Sequence, residues 1–265
     1  MSKRTEDCII AAAVIFALLL ISAIFIFWRD IRGFILHVKT IDNFSCEKAE
    51  SAAEKYLQEH HFGSDYEISS VYRDEKSVLY YVSITSPSSV DRGFQLGYDT
   101  QGKLKYNSYE YHVVQKGNVA IRLSNEYGSA IEDTITASLP QYDVRCNGSL
   151  SWSTAPPYDD PHTLFPGTLE LDASYDLTEF GRKYGSLWCQ VEVNSAKAVT
   201  VENLAEILLH LRETAEQAGL PFYMIDCDLA YPKGTNSRRL SVKDFLFEDI
   251  YEENLEARLE EAMKS

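Results

Sequence analysis

Residues 187–231 read LWCQVEVNSAKAVTVENLAEILLHLRETAEQAGLPFYMIDCDLAY, and this stretch decides the fold of the C-terminal half. In its centre Val201, Leu204, Ala205, Leu208, Leu211 and Ala215 recur at helical spacing, so residues 201–218 predict an amphipathic helix. Thr200 stands ahead of it as N-cap, and Gly219 with Pro221 ends it. On either side the period changes to two. Leu187, Cys189, Val191 and Val193 alternate with Trp188, Gln190 and Glu192, while Tyr223, Ile225, Cys227, Leu229 and Tyr231 leave Asp226 and Asp228 on the other face. Two half-buried strands around a helix make a strand-helix-strand unit. Cys189 and Cys227 then point into the core as buried thiols, and a disulfide between neighbouring strands stays open as an alternative.

Working outward, a short helix is expected near Leu177 to Tyr184, and an acidic one from Glu252 to Lys264 closes the chain. Upstream, from Cys146 to Gly167, the pattern dissolves into Gly, Ser and Pro, with Pro156, Pro157, Pro161 and Pro166. That composition suits a linker or a long loop and puts a domain boundary there. Before it, residues 118–139 predict a helix with Ala120, Leu123, Tyr127, Ile131 and Thr134 inward and Pro140 as its stop.

The preceding segment reads as a helix and a meander. Cys46, Ala49, Ala53, Tyr56 and His60 share one helical face, with Ser45 as N-cap and Gly63 as stop. Strand-like alternation follows in Tyr66 to Arg73, in Val78, Tyr80, Val82 and Ile84, in Phe94, Leu96 and Tyr98, and from Leu104 to Tyr111. Asp99-Thr100-Gln101-Gly102 reads as a type I turn joining the last two.

At the other end, Cys8 to Trp28 is an unbroken apolar run without a charge. As a helix it is about 31 Å long, which matches the hydrocarbon core of a bilayer. A cleaved signal peptide would have a shorter apolar core and a small-residue site, whereas Arg29, Asp30, Ile31 and Arg32 follow here. The flanking cations, Lys3 and Arg4 against Arg29, Arg32 and Lys39, nearly balance. A short leading tail with one early apolar segment is the layout of a signal anchor, so the tail is expected inside and the large part outside, a cytoplasmic location being the alternative.

The formal net charge of -15 falls on the rest of the chain, because Lys3 and Arg4 offset Glu6 and Asp7. Nucleic acid is excluded as a partner, since a phosphate polymer demands clustered cations. No C-x-x-C or other metal-ligand spacing occurs, and no cofactor is expected. The fold class expected is α+β, an N-terminal transmembrane helix followed by two small α+β domains. Residues 1–36 are tail and anchor, 37–145 a helix with an antiparallel sheet, 146–167 the Pro-rich linker or loop, and 168–265 the second α+β domain.

Candidate chemistry is sparse. Ser45-Cys46-Glu47-Lys48 matches the S-x-x-K of penicillin-recognising enzymes, but S-D-N and K-T-G are missing, Lys233-Gly234-Thr235 being scrambled, and Ser45 has a role as a cap. Asp226 and Asp228 could hold a hard cation or divide acid and base roles, although carboxylates on a water-facing strand need no such explanation. Asp159, Asp160 and His162 fit no ligand spacing. His60 sits on the inner stripe of its helix, His210 faces outward, and His112 lacks an evident partner in sequence. Trp152, Tyr158 and Phe165, set among prolines, suit a preformed patch for peptide or glycan, or pin the loop to the core.

The order of helix, strands, hairpin at Asp99 to Lys103 and the Arg122-Leu123-Ser124-Asn125-Glu126-Tyr127 helix behind an N-terminal anchor resembles the YfjL-like membrane proteins of Gram-positive bacteria. The helix with strands and a D-x-x-G-K hairpin is also similar to PepSY-type modules, a resemblance that implies a small cystatin-like sheet wrapped on a helix. Neither family supplies catalytic residues. Together they imply a single-pass, integral membrane protein whose extracytoplasmic part is a non-catalytic binding or regulatory module for a protein or envelope partner. The alternatives are a membrane-tethered hydrolase using carboxylates and a structural accessory subunit of another membrane protein.

Overall fold

The computed structural model describes residues 44–151, 169–231 and 237–264. Its architecture is mixed α+β, with two four-stranded sheets and several helices. Among the described residues no helix is long and apolar enough to cross a membrane, and the run from Cys8 to Trp28 lies outside them. By their contacts the described residues divide into two units, one from residues 44–84 and 95–107, the other from residues 85–94 and those from 108 onward.

The first unit starts with helix α1 (Cys46–Glu59), where Ser45 Oγ accepts from Lys48 N at 3.3 Å, and Ala49 and Ala53 are buried. Small residues there let the helix lie close against its neighbours. The sheet has the order β1 (Glu67–Asp74), β2 (Leu79–Ser86), β3 (Ser89–Tyr98), β4 (Leu104–Asn107). Tyr80, Val82, Leu96 and Tyr98 are buried at every second position, as the alternation requires. The Asp99 turn forms as expected. Gly102 N donates to Asp99 O at 2.9 Å, the Asp99 carboxylate accepts from Gln101 N and Lys103 N, and Gly102 takes a φ of 78°. Strand β4 stops at Asn107 instead of running to Tyr111, because His112 N bonds Ser108 O and a single π turn occupies Glu110–Val114.

The second unit contains helix α2 (Gly117–Ser138) and a sheet of order β5 (Asp143–Leu150), β6 (Gly185–Glu192), β7 (Met224–Tyr231), β8 (Arg238–Leu246). Strands β6 and β7 are parallel, joined through α4 (Val201–Gln217), while β5 and β8 run antiparallel at the two edges. The short helix α3 (Leu177–Tyr184) precedes β6, and α5 (Leu255–Ala262) ends the described chain. One core unites the helices and a single face of the sheet. Leu123, Tyr127 and Ile131 of α2 and Leu204, Leu208 and Leu211 of α4 meet Leu187, Cys189, Val191, Ile225, Cys227 and Leu229.

Two further elements of the second unit differ in placement from the sequence reading. Strand β5 occupies residues expected in the Pro-rich segment, and α2, expected to close the first domain, packs on β5 and α4. Close approach explains the second difference. A Cβ on Gly128 of α2 would stand 2.4 Å from Gly148 O of β5, so these glycines bring helix and strand backbones into direct contact.

Candidate functional site

The strongest polar cluster of the second unit centres on Asp91, which is 1% exposed. Arg122 grips its carboxylate from both sides, Nε to Oδ1 at 3.0 Å and Nη2 to Oδ2 at 2.9 Å. Asp172 N adds a third bond to Oδ2 at 2.7 Å, and Arg122 Nη2 also donates to Ala173 O. Burial by itself would raise the pKa of Asp91, but the Arg122 hydrogen bonds, the Asp172 amide and the Arg122 charge outweigh it and hold the carboxyl below the usual range. Asn118 Nδ2 donates to the carbonyls of Asp91 and Gly93, and Asp172 accepts from Ser89 Oγ and Val90 N. This constellation ties the tip of the β2–β3 hairpin to α2 and to the segment around Asp172. A carboxylate held ionised at neutral pH by a bidentate guanidinium is poorly placed to exchange a proton, and the bonds it makes are structural.

Asp226 and Asp228 are also engaged. Asp228 is 5% exposed, although the alternation places it on the face expected to meet water. Its carboxylate accepts from Arg239 Nε at 3.0 Å, from Arg239 Nη2 and from Ser241 Oγ of β8. Asp226 Oδ1 accepts from Asp244 N at 2.7 Å, where β8 bulges and Asp244 takes a φ of 49°. These carboxylates fasten the edge strand β8 to β7. Among the described residues, no group of three or more His, Cys, Asp or Glu is arranged to hold a metal ion.

The thiols form a row. Register places Cys146 opposite Cys189, and Cys189 opposite Cys227. All are free cysteines, the last two fully buried. The hydrogen bond with Cys189 and burial push the Cys227 thiol well above its ordinary value, so it stays protonated and unreactive.

Other candidates have structural work too. Ser45 caps α1. His60 is exposed at the end of α1, not inward, with its ring stacked on Tyr56 at 4.0 Å. His210 Nε2 lies 3.0 Å from Ser138 O, and burial lowers the pKa of His112. Trp152, Tyr158, Phe165, Asp159, Asp160 and His162 lie outside the described residues, as do Lys233, Gly234 and Thr235.

What the sequence reading missed is aromatic. On the face of the first sheet that carries Tyr81 and Gly97, Tyr72 of β1 stacks on Tyr81 of β2, with ring centroids 5.6 Å apart at 27°. Tyr81 meets Tyr106 of β4 edge to face at 5.8 Å. Tyr72 is 45% exposed and Tyr106 40%. Strand β3 contributes Gly97, paired with Tyr106, and a Cβ there would stand 2.9 Å from Tyr106 Cβ and 3.2 Å from Tyr81 Cε1. The ladder was visible only as tyrosines at the outward positions of strands, where alternation was read for the core and not for the surface. Beside it Gln95 Nε2 donates to Ser83 Oγ at 3.2 Å. On the second sheet, Trp188 is exposed on the face away from the helices, between Asn147 and Asp226 in register.

No curated protein matches the sequence. Among solved structures, a DUF5037 family protein from Ruminococcus gnavus is similar at 15% identity, over 69% of this chain and 74% of that one, with a TM-score of 0.24. Residues 126–260, more than half of the chain, match the family model described as the YfjL-like C-terminal domain, and the chain therefore belongs to that family.

Proposed function

We propose that this protein is a non-catalytic binding module held at the cell membrane by the apolar run from Cys8 to Trp28, with both folded units on the outer side. The observation that carries the binding reading is the tyrosine ladder of the first sheet: three rings on a sheet face, two of them substantially exposed, while the buried acids Asp91 and Asp228 are neutralised by arginines. Exposed rings provide contact area at small entropic cost, which is the usual composition of a binding surface. Within this reading the first unit is a PepSY-type sheet on a helix, and the partner is a protein or an envelope component.

The carboxylate-hydrolase alternative finds Asp228 already paired with Arg239 and Asp226 spent on the β8 bulge. Location is tested by protease treatment of intact cells that carry a C-terminal tag, with a lysed control. Loss of the tag in intact cells is expected, and survival there with loss on lysis overturns the outward orientation. Binding is tested by cross-linking in cells. A partner recovered with the native chain and lost with Tyr72→Ala/Tyr106→Ala is expected, whereas equal recovery from both removes the ladder from the binding surface.

A further inference from the structure

We infer that the tyrosine ladder of the first sheet is a stacking platform for an uncharged polysaccharide strand, a ligand class that deepens the binding reading above and rests on it. Gly97 of β3 lies within the ladder, paired with Tyr106. Its φ is not positive, so the backbone does not require glycine there, and a glycine inside a strand weakens the sheet. What the position demands is space: Tyr81 Cε1 and Tyr106 Cβ occupy the volume a side chain would fill. Glycine leaves room over β3 for the edge of the Tyr81 ring and the Cβ of Tyr106, so that rings from β1, β2 and β4 form one row across the sheet.

Charge then selects the occupant. Aromatic rows on sheets stack nucleobases as well as sugars, but a nucleic acid needs a cationic groove, and this chain carries a net -15. Of the positions that share the face beside the ladder by alternation, Ser70, Ser83, Thr85 and Gln95 are neutral and polar, Ile68 and Leu79 are apolar, and Asp74, at the end of β1, is turned onto Ser77 in the following turn. Arg73 does not join them, because its guanidinium lies over Tyr80 on the opposite face. A protein partner anchors side chains in pockets, whereas Tyr81 and Tyr106 fill the one gap that Gly97 leaves. A ring-bearing face whose outer rings, Tyr72 and Tyr106, are exposed, with amide and hydroxyl neighbours, fits the apolar faces and the hydroxyls of linked pyranose rings. Centroid steps of 5.6 and 5.8 Å are comparable with the length of one sugar unit.

The test is sedimentation of the purified full-length chain, in a detergent without sugar, with insoluble β-linked glucan and with insoluble β-linked N-acetylglucosamine polymer, followed by calorimetric titration with the matching soluble hexasaccharides. Binding to one of these neutral polymers is expected, with affinity about tenfold or more weaker in Tyr72→Ala and in Tyr106→Ala and unchanged in Trp188→Ala. Thermal melts of each variant separate a lost ligand from a lost fold, and Tyr72→Phe, which keeps the ring, is expected to restore binding. Absence of binding by the native chain, or equal binding by the two alanine variants, overturns the polysaccharide inference. A ladder-dependent partner in the cellular cross-linking experiment would leave the broader binding reading standing in that event, and no such partner would remove both.

Discussion

At the scale of single residues, Asp91 has the most to lose. Replacing it by Ala leaves Arg122 without its carboxylate in a site where Asp91 is almost wholly buried, and the expected loss is about 3 kcal/mol in urea denaturation. The sign of the pH dependence follows from its depressed pKa: the stabilisation is present above the unfolded carboxylate value and is lost as pH falls through the folded value. Asp91→Asn should therefore lose less stability than the native chain between neutral pH and about pH 3. An equal acid loss in both proteins would mean that other carboxylates dominate. Tyr98 presents the opposite case. Its hydroxyl is buried without a hydrogen-bond partner, and desolvation, with Tyr56 nearby, pushes its pKa up to about 12. Removing an unsatisfied buried hydroxyl relieves a desolvation penalty, so Tyr98→Phe should stabilise by about 1 kcal/mol; a loss of stability would show that the oxygen is satisfied in solution.

Among the elements, α2 and β5 meet backbone to backbone at Gly128 and Gly148. Gly128→Ala would drive a methyl carbon against Gly148 O, and a backbone carbonyl held in a sheet cannot swing aside as a side-chain tip can. The expected cost is about 2 to 3 kcal/mol, read from the urea midpoint, and a neutral result would place α2 farther from the strand. Element by element, the sequence was most legible where a period persisted. The α4 stripe, its caps at Thr200 and Gly219, the α3 span and the Asp99 turn were all readable, because each rests on local spacing or on one residue's backbone preference. Strand β8 was not read, since Arg238, Arg239, Lys243 and Asp244 break its alternation. Its place is fixed from a distance, by Asp228 and Asp226 on β7. The tyrosine ladder escaped for a related reason: which outward residues adjoin depends on register across four strands, and no single strand's pattern states that.

On the scale of the whole molecule, chain order and unit membership part company. The sequence suggested a cut in the Pro-rich segment, where composition changes. The contacts instead give residues 85–94 to the second unit and return residues 95–107 to the first, so that β3 belongs to both. A hydrophobic pattern cannot reveal this, because the bonds that hold residues 85–94 to α2, such as that of Arg122 with Asp91, span 31 positions of sequence. A fragment of residues 108–265 should consequently be less stable than the same unit within the full chain. Slower amide exchange in α2 of the full chain is the expected reading, and identical protection in both would make the Asp91 tie dispensable.

That shared strand bears on how the molecule can be divided. The family match begins at residue 126, inside α2, beyond Val119, Ala120 and Leu123, which are all fully buried in the core of the second unit. Expression boundaries drawn at that residue would discard the first turns of the helix together with its guanidinium anchor Arg122, and remove three buried side chains from the core. The span matched by the family model and the unit defined by contacts thus differ in this chain: one is a continuous stretch, while the other can be lifted out only by cutting the polypeptide at three places, after residues 84, 94 and 107, and rejoining it.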